Sequence, residues 1–87
     1  MSYDVEWSEE AIEQLGSILG SHHRLRSILV DDATRIDEVL ASDPHSGSRD
    51  SHHVEIWVSQ VGRLAVSYAI AEETERITVL AVKLSLA

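Results

Sequence analysis

The chain has no cysteine and no phenylalanine, a single proline, and only seven Lys and Arg among its 87 residues. Without cysteine there is neither a disulfide framework nor a thiolate ligand, so packing has to hold the fold, and a reducing cytoplasm is the compartment such a chain suits. No apolar run approaches the roughly 18 residues that a membrane span needs. Met1 is followed by polar residues rather than a basic-then-apolar leader. A soluble, cytoplasmic protein with no membrane partner is expected. The shortage of cations excludes more. Seven Lys and Arg against fifteen Asp and Glu leave a formal net charge of -8, whereas nucleic-acid binders draw most of their affinity from Lys and Arg on phosphates. Acidity of this kind keeps a small protein in solution. A nucleic-acid target is open to it only if the few cations gather on one face.

What is present is ordinary globular material, 44% hydrophobic and 25% charged, enough for one domain over residues 1–87 with one core and no internal repeat. Tyr3, Val5 and Trp7 alternate with Asp4 and Glu6, the period of a half-buried strand. Ser8 is a good N-cap, and Glu9 and Glu10 follow in the first turn, where carboxylates favour the positive end of the helix dipole. Ile12, Leu15, Ile18 and Leu19 form one helical stripe ending near Gly20. A second stripe runs through Leu25, Ile28, Leu29, Ala33, Ile36, Val39 and Leu40 to Asp43-Pro44. Proline lacks the N–H to continue a helix and disfavours helical geometry in the residue before it. The few residues around Ser21 force the two helices into an antiparallel hairpin.

His45 to Ser51 is Ser, Gly, Asp and Arg, the composition of a mobile loop. Val54, Ile56 and Val58 then alternate with Glu55, Trp57 and Ser59. Leu64, Val66, Tyr68 and Ile70 alternate with Ala65, Ser67 and Ala69, and Ile77 to Val82 is apolar on both faces. Turns are placed around Val61-Gly62 and over Glu72 to Glu75. The order is β-α-α-β-β-β, an α+β fold. With the first strand beside the last, the sheet is four-stranded, ordered 1-4-3-2 and all antiparallel, with the helical hairpin on one face. Alternation sends Tyr3, Val5, Trp7, Val54, Ile56, Val58, Leu64, Val66, Tyr68 and Ile70 to the helices. Asp4, Glu6, His53, Glu55, Trp57, Ala65, Ser67 and Ala69 are left on an open face that receives no cation from the first three strands.

Few residues present themselves for chemistry. His22-His23, His52-His53 and His45 invite a metal reading. Neighbours on a strand point to opposite faces, however, so His52 and His53 cannot chelate one ion together; solvent-exposed histidines are the reading taken, with no metal and no cofactor. The weak catalytic candidates are Arg49, Arg63 and Lys83, three cations that would have to converge on a phosphate, and His53 with Glu55, an i, i+2 pair placed for acid–base work. Against them stand solvated loop cations and a polar edge strand. Trp57 beside small residues makes an apolar shelf, so Val54, Trp57 and Val58 are the expected protein-binding surface.

The run Ile36-Asp37-Glu38-Val39-Leu40-Ala41-Ser42-Asp43-Pro44, the loop through Gly47 and Arg49, and the strands from Val54 to Val82 resemble the RelE/ParE toxin superfamily of bacterial toxin–antitoxin modules over nearly the whole chain. Gly62-Arg63-Leu64-Ala65-Val66-Ser67-Tyr68 looks like that family's Gly-x-Leu-Arg-Val-x-Tyr strand, with Ala65 where Arg is usual. Ile77-Thr78-Val79-Leu80-Ala81-Val82 is followed by Lys83-Leu84-Ser85 in place of a His-, Arg- or Tyr-bearing tail. The short hairpin is closer to RelE-type members, which cut mRNA in the ribosomal A site, than to ParE-type members, which poison DNA gyrase. The resemblance implies a toxin component with a cognate antitoxin as partner, here without the groups that orient RNA and stabilise charge on the scissile phosphate. Ribosome-bound mRNA and gyrase are targets that the charge does not support. The alternative expectation is a non-toxic protein of the same fold, serving as a binding module or a homodimer.

Overall fold

A computed structural model describes residues 2–85. The chain forms β1 (Asp4–Trp7), α1 (Glu9–Ser21), α2 (Arg26–Ser42), β2 (Ser48–Arg49), β3 (Trp57–Val61), β4 (Leu64–Ala71) and β5 (Arg76–Leu84), with single helical turns at His23–Leu25 and Pro44–Ser46. The Ser8 side chain caps α1 by accepting from the Ala11 N–H at 3.1 Å. Asp43-Pro44 ends α2, with the Asp43 N–H closing on the Val39 carbonyl at 2.8 Å.

The five strands lie in the order β1-β5-β4-β3-β2. The spatial order of the four longer strands is the one expected, but two features of the sheet are not. β1 runs parallel to β5, with Val5 opposite Ile77 and Trp7 opposite Val79, and a two-residue strand, β2, sits at the far edge, antiparallel to β3. The two departures have one cause. Each hairpin reverses the chain, so adding β2 between α2 and β3 inserts one more reversal and turns the β1–β5 pair from antiparallel to parallel.

β3 corrects a further expectation. Val54 and Glu55 occupy a turn, and the strand begins at Trp57. Trp57 stands opposite Tyr68, Ser59 opposite Val66 and Val61 opposite Leu64. Leu64, Val66 and Tyr68 are buried toward the helices, so Trp57 is on the core side and Val58, 37% exposed, is on the open side. The expected phase was displaced by one residue, which exchanges the faces of an entire strand.

The core joins Ala11 of α1 and Leu29, Ile36 and Leu40 of α2 to Leu64, Val66, Tyr68, Ile77, Val79 and Val82 of the sheet, all on one face. Trp7 packs at its margin and its Nε1–H donates to Asp37 Oδ1 at 2.6 Å, tying β1 to α2. In α1 it is Ala11 that is buried, while Ile12 is 58% exposed. A polar residue also enters the core. Asp32, 5% exposed, accepts from the Arg63 N–H at 3.0 Å and so fixes the two-residue Gly62-Arg63 turn against α2. Gly62 has φ +59° and no room for a Cβ beside the Asp32 carboxylate.

Candidate functional site

The open face of the sheet is where this architecture can hold a ligand, and the registers give its surface row by row. Gln60, Ala65 and Lys83 form one row, Ser48, Val58, Ser67 and Ala81 the next, then Ala69, Thr78 and Glu6, then Ala71, Arg76 and Asp4. The first two rows floor a groove of about 880 Å³, with Ser46, Gly47 and Asp50 on one wall. Small side chains make the groove. β5 supplies one residue more than β4 across it, because Ser67 pairs with Ala81 and Tyr68 with Val79, leaving Leu80 as a bulge; such a bulge sharpens the local twist.

The wall is held from beneath. The Tyr68 hydroxyl, buried, donates to the Pro44 carbonyl at 2.6 Å. A Cβ on Gly47 would lie 2.5 Å from both that hydroxyl and the Val58 carbonyl oxygen, so only glycine lets the chain cross so close to β3. Burial raises the Tyr68 pKa, the Gly47 backbone partly offsets that, and Asp43 adds to the rise. Beyond the wall, Asp50 Oδ1 accepts from the N–H groups of His52 and His53 at 2.7 and 3.3 Å. The His52 bond above all holds the Asp50 carboxyl below its ordinary range.

The catalytic candidates do not assemble. Arg49 stands opposite Trp57 on the helix side, its guanidinium 5.0 Å from the centre of the indole. Lys83 stands opposite Ala65 on the open side. Three strand spacings separate β2 from β5, about 14 Å. Arg63 is in the β3–β4 turn, its own N–H committed to Asp32. His53 and Glu55 are exposed in the 50–56 loop, off any strand, so no i, i+2 alignment on one face exists. His45 is committed to Glu72, Nε2 to Oε1 at 2.9 Å, and its ring meets Tyr3 and Trp57 edge-on with centroids 6.2 and 5.4 Å apart.

The expected binding surface of Val54, Trp57 and Val58 is likewise divided. Val54 is in the turn, Trp57 is covered by His45 and Arg49 on the core side, and Val58 alone floors the groove. Two features were not anticipated. One is the cross-strand placement of Lys83 beside Ala65, which follows once β4 and β5 are paired through the Glu72–Glu75 turn. The other is Gln14, whose Oε1 accepts from the Val82 N–H at 2.8 Å on the edge of β5; nothing in the local sequence marks it.

No protein-family model matches the sequence, and no curated protein matches it. Solved structures do. A chain of the RelBE2 toxin–antitoxin complex from Mycobacterium tuberculosis is similar with a TM-score of 0.77 at 17% identity, over 97% of this chain and 99% of that one. A chain of the chromosomal ParDE toxin–antitoxin system from P. aeruginosa is similar with a TM-score of 0.72 at 13% identity, over 95% and 96%. The isolated RelE toxin of E. coli is similar with a TM-score of 0.65 at 18% identity, over 98% and 86%. The chain has the RelE/ParE toxin fold.

Proposed function

We propose that residues 1–87 form the toxin-fold component of a bacterial type II toxin–antitoxin module, neutralised by a cognate antitoxin, and that its sheet does not perform mRNA cleavage. Support for the module comes from whole-length similarity to a chain of the RelBE2 toxin–antitoxin complex and a chain of a chromosomal ParDE toxin–antitoxin system. The second half of the proposal is carried by one observation: the groove over Val58, Ala65, Ser67 and Ala81 has Lys83 as its single cation among the described residues, and Asp50 on its wall. Cleaving a phosphodiester requires several donors aimed at the charge that develops in the transition state, and one lysine among small neutral residues cannot provide them. A net charge of -8 opposes the approach of RNA as well.

Induced expression tests the first half. Growth should arrest, and co-expression of a cognate antitoxin encoded beside the gene should relieve the arrest. Unaltered growth would reject the toxin assignment and leave a non-toxic protein of the same fold. Purified protein added to translating ribosomes tests the second half, with A-site codons expected to stay intact. Codon-specific cleavage lost on Lys83→Ala would overturn it.

A further inference from the structure

β5 is nine residues long and β1 only four, and β1 pairs with no residue of β5 beyond Val79. From Leu80 to Leu84 the outer edge of β5 therefore has no strand beside it among the described residues. It is plugged by side chains instead. The Ser8 hydroxyl donates to the Leu80 carbonyl at 3.2 Å, and Gln14 Oε1 accepts from the Val82 N–H at 2.8 Å. Backbone groups of alternate residues point to the same edge of a strand, so Leu80, Val82 and Leu84 present theirs on this side while Ala81 and Lys83 pair with β4. Alongside runs a groove of about 550 Å³, lined by Glu10, Glu13 and Ile18 of α1 and by Val82, Lys83 and Leu84.

We infer that this edge accepts an extended segment of a basic partner protein, added as a further strand in the place that Gln14 now fills. Side-chain plugs exchange readily for a backbone partner, because the incoming carbonyl replaces the Gln14 amide on the Val82 N–H bond for bond, and strand addition is a common mode of peptide capture. Charge sets the chemistry of the segment. On the helix side an incoming residue meets the half-buried Ile18 and Leu84 with Glu10 and Glu13 above them, a surface for a Lys or Arg whose aliphatic stem lies on the apolar pair and whose head reaches the carboxylates. On the open side the neighbour is Lys83, which disfavours a second cation. An alternating basic/apolar segment thus fits in a single phase. This inference does not depend on the toxin reading; it concerns only the edge and its charges.

The probe is the acetylated, amidated peptide Lys-Val-Lys-Val-Lys-Val-Lys, followed by calorimetry and by amide exchange of the full chain. Saturable binding with slowed exchange at Leu84 is expected. Methylating every second backbone nitrogen of the peptide should weaken binding at least about tenfold in one phase and leave it unchanged in the other, since two or more hydrogen bonds are lost only when the methyls face β5. Gln14→Ala should tighten binding by about 2–10-fold, the equivalent of one competing hydrogen bond removed, and Glu10→Lys with Glu13→Lys should weaken it. Equal binding by both methylated peptides would mean charge attraction without strand addition and would overturn the inference, as would protection appearing at Ser48 and Arg49 instead of Leu84. The methylated pair needs no protein variant, so the test stands even where a substitution perturbs folding.

Discussion

Replacing Trp57 by alanine separates the core-side placement of this residue from an exposed one. Truncating a fully buried Trp costs about 3–5 kcal/mol. Trp57 is half-buried, opposite Tyr68 and packed against the core, so about half of that, roughly 2 kcal/mol, is the packing share. The Arg49 guanidinium over its face, 5.0 Å from the centroid, adds about 0.5–1 kcal/mol at a solvent-accessible site. The sum is about 2–3 kcal/mol, against roughly 4–13 kcal/mol for a domain of this length, so the variant remains folded and measurable. Urea unfolding followed by far-ultraviolet circular dichroism is the assay, because the substitution removes one of the two tryptophans and so alters the fluorescence baseline. A double-mutant cycle with Arg49→Ala should return a coupling of about 0.5–1 kcal/mol. A loss below about 0.5 kcal/mol would refute the register, because an indole on the open face covers no core.

Gly47→Ala should cost about 1–3 kcal/mol, since its Cβ would press on the Tyr68 hydroxyl and the Val58 carbonyl; Gly16→Ala, with nothing within 4 Å of a Cβ, should stabilise α1 by about 0.5–1 kcal/mol. Thermal melts of the two variants should move in opposite directions. Because burial raises the Tyr68 pKa, the unfolded chain releases that phenolic proton first; the Tyr68 contribution is complete below the ordinary tyrosine value of about 10 and is lost as pH rises past it. Melting temperature should therefore fall above about pH 10, and less steeply in Tyr68→Phe, with Tyr3→Phe as the control for a second tyrosine whose pKa is also raised, by partial burial and then by Glu72 and Glu75. An identical alkaline slope in wild type and Tyr68→Phe would remove the assignment.

Caps and breakers were legible in the sequence because they act over a few residues. Ser8 with Glu9 and Glu10 started α1, and Asp43-Pro44 ended α2. The β4 alternation was legible because one phase is apolar and bulky while the other is small. In β3 both phases carry apolar residues: Val54, Ile56 and Val58 in one, Trp57 and Val61 in the other, so periodicity could not choose. The turn could have. A two-residue Gly62-Arg63 loop fixes Val61 opposite Leu64, and counting outward places Ser59 on Val66 and Trp57 on Tyr68. β2 left no pattern, being two polar residues whose pairing comes from the neighbouring strand alone. Asp32 was hidden for the same kind of reason, since its partner, the Arg63 N–H, is 31 residues away.

The open face shows how a register changes the meaning of a missing side chain. Taken along β4 alone, Ala65 is a position stripped of a cation. Across the sheet, it is the residue opposite Lys83, and directly opposed positions bring their Cβ atoms to about 5 Å. An ammonium on the four-carbon stem of Lys83 can hang over Ala65, restoring one positive charge to that part of the face from the neighbouring strand. It does not restore the forked donor set of a guanidinium, and the other cation on this face among the described residues, Arg76, is seven residues back along β5 beside Asp4, about 23 Å away along an extended strand. One point charge over a floor of Ala, Ser and Val can anchor a single acidic or carbonyl group. It cannot grip successive phosphates, so the groove suits a protein segment, with small residues admitting close backbone approach, better than it suits a nucleic acid.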